Sequence, residues 1–340
     1  DFLNEKKTEL TGEEELEYSI IKSFFFKEED LIIEVSNLGA ELTSIKYKGK
    51  EYLHDENDFW NKKSPILFPI VGRLKYNGTT IINNKNYSLP IHGFANNMNF
   101  TKIGENSYLL TSNNETLQHF PFEFELYVSY IIENNILIFN YTVVNPSQNE
   151  TMFFGIGGHP GFKCDIYKEK ASVEFEDEET DIKVIPVILP EGLMSNETKN
   201  GDDFLENKKI LKINRSSFDH DAIVFTDIKS KSVILKDNGS KILKFNFAEF
   251  KYLGIWSTNG SAPFICLEPW YNTPDYINST GQFKEKKGII ELEPNAIFRV
   301  NFSVEFFYEN NDDNNNNKNC AKHLYLNLLF LLFILYSLLM

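Results

Sequence analysis

Four short stretches gather the side chains that could do chemistry: Leu67-Phe-Pro-Ile-Val-Gly-Arg73, Ile91-His-Gly-Phe-Ala-Asn-Asn-Met98, Gly157-Gly-His-Pro-Gly-Phe162 and Phe264-Ile-Cys-Leu-Glu-Pro-Trp270. Each sets one ionisable group (Arg73, His92, His159 or Glu268) among apolar residues, Gly and Pro. Burying such a group is costly unless it has a partner or a task. Imidazole and carboxyl groups can pass protons, and two His with one carboxylate can also hold zinc. The spacing argues against zinc, because the chain has no short His-x-x-x-His pair, and no metal is expected. A lone His beside Gly is usually a hydrogen-bonded turn residue, so the four stretches carry weight together and not singly.

The elements around them read as strands. In Phe298-Arg-Val-Asn-Phe-Ser-Val-Glu-Phe306 every even-numbered residue is apolar and every odd one polar, the period of a strand with one wet face. Residues 124–132 and 136–144 repeat that pattern on either side of Glu133-Asn-Asn135, where Asn tolerates the positive φ of a hairpin turn. Thirty Phe and sixteen Tyr against four Met favour the same geometry. No long helical period occurs before the C-terminus. Many short strands between Gly, Pro and Asn turns predict an all-β fold, a large antiparallel β-sandwich formed as one domain.

Taken together and in this order, the four stretches resemble the aldose 1-epimerase (mutarotase) family, above all its bacterial branch associated with lactose operons. Its motifs look like LFPxxGRL, HGFAR, HPxFxC and CxEPW. The resemblance covers roughly residues 17–308 and implies a galactose mutarotase-like supersandwich that interconverts the α and β anomers of a free hexose, with no cofactor. It implies Glu268 as the base toward the C1 hydroxyl, His159 as the acid toward the ring oxygen and His92 as a second donor. Arg73 and Asp221 would hold sugar hydroxyls, although Asp219 lies two residues from Asp221. Trp270 and Phe94 are the aromatic candidates to stack on the sugar, against ordinary core packing. Three positions depart from the branch: Asn96 stands where Arg is common, Ile91 where a polar residue is, and Asn272 where Gly is. They leave the acid and base in place and are expected to alter the rim.

Two other functions compete. A hexose-6-phosphate 1-epimerase would need cations for the phosphate, for which Lys75 and Lys102 are the nearby candidates, without an Arg cluster. A membrane-displayed carbohydrate-binding or adhesion protein would need no matched acid and base. With 34 Lys+Arg against 49 Asp+Glu the chain carries −15, which excludes nucleic acid as an expected partner. Cys164, Cys266 and Cys320 are too widely spaced for a disulfide framework or a CxxC site. The oligomeric state is not legible.

The ends differ from the middle. Residues 1–16 read as an acidic leader or linker, residues 17–308 as the domain, and the Asn-rich 309–323 as a disordered spacer. Residues 324–340 form a hydrophobic C-terminal tail, expected to be either a cleaved lipid-anchor (GPI-type) signal, with Asp312, Asp313 and Asn314 as attachment candidates, or a retained tail anchor. That predicts the secretory route or cell surface, attached to a membrane through the C-terminus, with a cytoplasmic location as the alternative. A first residue of Asp1 instead of Met agrees with an earlier secretory signal. Triplets such as Asn77-Gly-Thr79 and Asn278-Ser-Thr280 are expected by chance in so Asn-rich a chain.

Overall fold

Strict alternation makes a strand one-sided, and the strand Ile297–Phe306 shows it directly. Val300, Phe302, Val304 and Phe306 are buried while the residues between them stay partly exposed. This strand pairs antiparallel with Ile136–Val144, which pairs in turn with Glu125–Glu133. The hairpin turn is tighter than the letters suggested: Glu133 still belongs to the strand, and Asn134 takes the positive φ of 58°. These strands lie inside a nine-stranded sheet, and a second sheet has eight strands. Both are antiparallel.

The computed structural model describes residues 30–55, 59–258 and 262–308. The two large sheets face one another across a core rich in Phe. Phe162 meets Phe245 at 6.2 Å between ring centroids, and Phe175 meets Phe225 at 5.2 Å, each pair with one ring from either sheet. At Gly158 the layers leave no room for a side chain, since a Cβ there would stand 2.7 Å from the Phe302 ring. Each large apolar side chain buried here contributes about 1.5–3 kcal/mol. Among the described residues the one α-helix is the four-residue Thr116–His119, and no helix is long and apolar enough to cross a membrane. The expected all-β sandwich is therefore the fold. The leader 1–16, the expected start at 17, the whole spacer 309–323 and the whole tail 324–340 lie outside the described residues, as does Cys320. Cys164 and Cys266 are buried free thiols.

One strand organises the site. Phe264–Trp270 is buried at all seven positions, because it runs in the middle of the eight-stranded sheet with the other sheet over it. Tyr252–Trp256 pairs along one of its edges, setting Gly254 opposite Glu268. Along the other edge Gly157 pairs with Trp270 and Gly161 with Cys266. Gly158, His159 and Pro160 fill the gap between those two pairings, which brings His159 level with Glu268. Pro160 cannot donate to the ladder, and the His159 N–H bonds away to the Pro65 carbonyl at 3.1 Å.

Candidate active site

Side chains alternate along Phe264–Trp270, so Cys266, Glu268 and Trp270 share a face. Glu268 and Trp270 line a cavity of about 540 Å³. At its floor the Nε2 of His159 lies 3.3 Å from Oε2 of Glu268. The indole N–H of Trp270 donates to the same oxygen at 3.1 Å. Glu268 is 1% exposed and His159 6%. Burial pushes the Glu268 carboxyl well above the ordinary carboxylate range, the Trp270 hydrogen bond opposing this and the charge of Asp221 adding to it. Burial likewise pushes His159 well below the ordinary imidazole value, with His92 and His54 adding to it. Both shifts disfavour a net charge, so the pair retains one shared proton.

His92 reaches the cavity through backbone geometry. It sits at φ 64° in a turn with Gly93 at 74°, its N–H donates to the Gly72 carbonyl, and its Nδ1 accepts from the Gly72 N–H at 3.1 Å. With Nδ1 accepting, the ring proton belongs on Nε2, which leaves a neutral donor. Burial, then the neighbouring Arg73, lower its pKa to about 4. Its ring stands 5.4 Å from that of His159, nearly perpendicular to it. Arg73 follows directly after Gly72 and lines the same cavity, its stem packed beside Gly192.

The cavity also brings in Asp221, at φ 72° with its carboxylate accepting from the Ala222 N–H at 2.8 Å, and Asp219 beside it. Six of the seven expected site residues thus share one cavity. The seventh does not: Phe94 packs into the aromatic core against Phe68, Phe120 and Phe124 and is absent from the cavity wall. Its backbone explains this, because the N–H groups of both Phe94 and Ala95 bond to the Phe68 carbonyl and turn the ring inward. Asn272 is not on the rim either. It is fully buried against Gly155, whereas Ile91 and Asn96 do line the cavity.

Sequence reasoning missed Trp60, Trp256 and Lys62. All three tryptophans of the chain line the cavity. Trp60 lies over His159 at 4.8 Å between ring centroids, and Trp256 meets it edge-on at 5.4 Å. The available signal was rarity, since three Trp beside thirty Phe mark positions where a plain apolar ring does not suffice. Lys62 gave no such signal; its ammonium is engaged with the Asn96 carbonyl at 2.9 Å and with Glu41 at 3.6 Å. Lys75 and Lys102 are not in the cavity wall: Lys75 bonds the Ser279 carbonyl and Lys102 lies over Tyr108.

The donor set nearest to metal-binding geometry is also different from the one the sequence offered. Ligand atoms of His159, Cys266 and Glu268 lie within 4.8 Å of one another, while Nδ1 of His92 is taken by Gly72. Burial raises the Cys266 thiol as well as the Glu268 carboxyl.

The family model for aldose 1-epimerase matches residues 26–304. The chain is 35% identical over 285 residues to the chromosomal LacX protein of Lactococcus lactis subsp. lactis, spanning 79% of this chain and 94% of that one. It also resembles a solved galactose mutarotase related enzyme from Lactobacillus acidophilus at 29% identity and TM-score 0.76, over 84% of this chain and 97% of the other. A galactose mutarotase-like protein from Lactobacillus casei matches at 25% identity and TM-score 0.75, over 82% and 97% respectively. An antiparallel supersandwich carrying four ordered motifs around one buried carboxyl–imidazole pair thus belongs to the aldose 1-epimerase family, and the protein is an isomerase of that family.

Proposed function

We propose that the protein interconverts the α and β anomers of a free hexose, with Glu268 as base and His159 as acid. The observation that carries this reading is the buried contact of 3.3 Å between His159 Nε2 and Glu268 Oε2 at the cavity floor. The two oxygens that exchange protons in ring opening are bonded to the same carbon. A donor and an acceptor this close to each other can therefore serve both. In the form of the pair that carries its shared proton on His159, the Glu268 carboxylate takes the proton from the C1 hydroxyl as the C1–O1 bond becomes a carbonyl. The bond from C1 to the ring oxygen breaks, and that oxygen keeps the electron pair and takes a proton from His159. After rotation about C1–C2 the ring recloses on the other face, and both protons return. The step balances without an outside oxidant or cofactor, and the pair holds one proton throughout.

Paired acid and base each contribute about 10²–10⁴-fold. His92 supports the ring oxygen as a neutral donor. Arg73 and Asp221 hold hydroxyls, and the indole faces of Trp60, Trp256 and Trp270 suit the apolar faces of a pyranose. A free sugar fits better than a phosphorylated one, since Lys75 and Lys102 are elsewhere and Lys62 is already paired. Membrane attachment through residues 324–340 belongs to the same proposal and rests on composition alone.

Polarimetry on freshly dissolved α-glucose and α-galactose tests the reading, with Glu268→Gln as the diagnostic variant. The amide keeps the shape and cannot take the C1 proton, so activity falls by about 10³-fold or more while the fold persists. A variant within a factor of two of the wild type would remove Glu268 from the mechanism.

A further inference from the structure

Arg73 has a structural dependence that its own neighbours do not explain. Seven residues beyond Glu268 the chain reaches Asp275, whose carboxylate is 3% exposed and divided between two partners. One oxygen receives the ammonium of the equally buried Lys286 at 2.7 Å, and the other accepts the backbone N–H of Lys75 at 3.0 Å. The main chain of Asp275 is committed as well. Its N–H donates to the Arg73 carbonyl at 2.9 Å, and its carbonyl accepts from the Met194 N–H at 2.8 Å. Lys286 adds a bond to the Thr273 carbonyl at 3.0 Å.

A single residue thus joins three cavity-lining segments: the turn carrying Gly72 and Arg73, the segment with Gly192 and Met194, and the continuation of the Glu268 strand. The contact is close on both sides. A Cβ on Gly72 would stand 2.2 Å from the Pro274 ring, and one on Gly192 would stand 2.8 Å from the Arg73 stem. A buried ion pair is an expensive way to gain stability, since apolar residues of similar volume commonly do as well or better. It does fix register, because a carboxylate with both oxygens engaged tolerates little displacement.

We propose that Asp275, held by Lys286, is a positioning residue that sets Arg73 relative to Glu268 and so governs how tightly sugar hydroxyls are bound. The inference rests on the reading of Arg73 as a hydroxyl-binding residue. Asp275 touches neither the sugar nor the reacting atoms, so its effect passes through Arg73. The proton transfers of Glu268 and His159 are left intact.

The test is a double-mutant cycle of Asp275→Asn with Arg73→Gln, read by polarimetry and by quenching of tryptophan fluorescence on titration with galactose and glucose. Asn keeps an oxygen for Lys286 but opposes the Lys75 N–H with an N–H₂ group. The expected result is a KM and a sugar dissociation constant about tenfold higher, with kcat within twofold. In the Arg73→Gln background the same change adds nothing further. A fall in kcat with KM unchanged, an unaltered KM, or a penalty that persists undiminished without Arg73 overturns the proposal. Should Asp275→Asn not fold, Lys286→Gln is put through the same cycle with the same expected and overturning results. Wild-type protein that binds sugar without turning it over sinks the epimerase reading while the binding cycle still decides the role of Asp275. Wild-type protein that does neither overturns both.

Discussion

At the scale of single residues, the site is defined by two groups whose charges are both discouraged by burial. Glu268 is raised and His159 lowered for the same reason, the loss of water around a charge. Adding a second proton to the pair would charge His159, and removing the shared proton would charge Glu268. The acid limb of kcat/KM therefore falls below the ordinary imidazole value of 6.5, and the alkaline limb falls well above the ordinary carboxylate value of 4.5. His92, lowered to about 4, is neutral at any pH well above that value. A pH profile of kcat/KM in buffers of constant ionic strength checks this. An acid limb centred at 6.5 would show that His159 titrates as if it were in water, contrary to the buried pair.

At the scale of elements, the turns matter more than the strands, because the strands alternate predictably and the turns deliver the polar groups. The His92 turn is locked to the segment before Arg73: Phe68 donates its N–H to the His92 carbonyl, and Gly72 both donates to and accepts from His92. Gly93 makes that approach possible. It sits at φ 74°, and a Cβ there would meet the Phe68 carbonyl oxygen at 2.2 Å, backbone against backbone with no side chain free to yield. Gly93→Ala is expected to destabilise the fold by roughly 2–5 kcal/mol, from the left-handed backbone and the clash together. Thermal unfolding measures it. A melting temperature unchanged within a degree would mean that the turn relaxes freely and does not hold His92 in place.

At the scale of the whole molecule, the sandwich accounts for the described residues up to Phe307, and the sequence beyond them has a different character. Residues 324–340 are almost wholly apolar, and exposing such Leu and Phe side chains to water costs about 1.5–3 kcal/mol each. In cells of the source organism the product of this sequence is expected in the membrane fraction, with residues 324–340 already replaced by a lipid. Treatment with a phosphoinositide-specific phospholipase should then release it without residues 324–340. Mass spectrometry that finds the tail intact on a membrane-bound product supports the retained anchor instead. Recovery of the intact chain in the soluble fraction removes membrane attachment altogether.

The alternation in 298–306 and in the 124–144 hairpin was enough to specify an antiparallel sandwich, because period 2 decides which face of a strand is buried whatever its neighbours are. The four motifs likewise named Arg73, His92, His159 and Glu268, since an ionisable group among apolar residues and Gly is conspicuous in one dimension. Depth and company were not legible. Phe94 and Trp270 were both candidates to stack on a sugar, with core packing the stronger rival for Phe94, and backbone bonds to Phe68 do turn that ring into the core while pairing with Tyr252 leaves Trp270 beside Glu268. Beyond the rarity of Trp, nothing around Trp60, Trp256 and Asp275 in the sequence marked them, because their roles come from distant segments, such as the Lys75 N–H that meets the Asp275 carboxylate. Even the proximity of His159 to Glu268 depends on an interrupted strand pairing around Pro160, which only the folded sheet creates. Periodicity is a property of neighbours along the chain, whereas a catalytic distance is a property of neighbours across it.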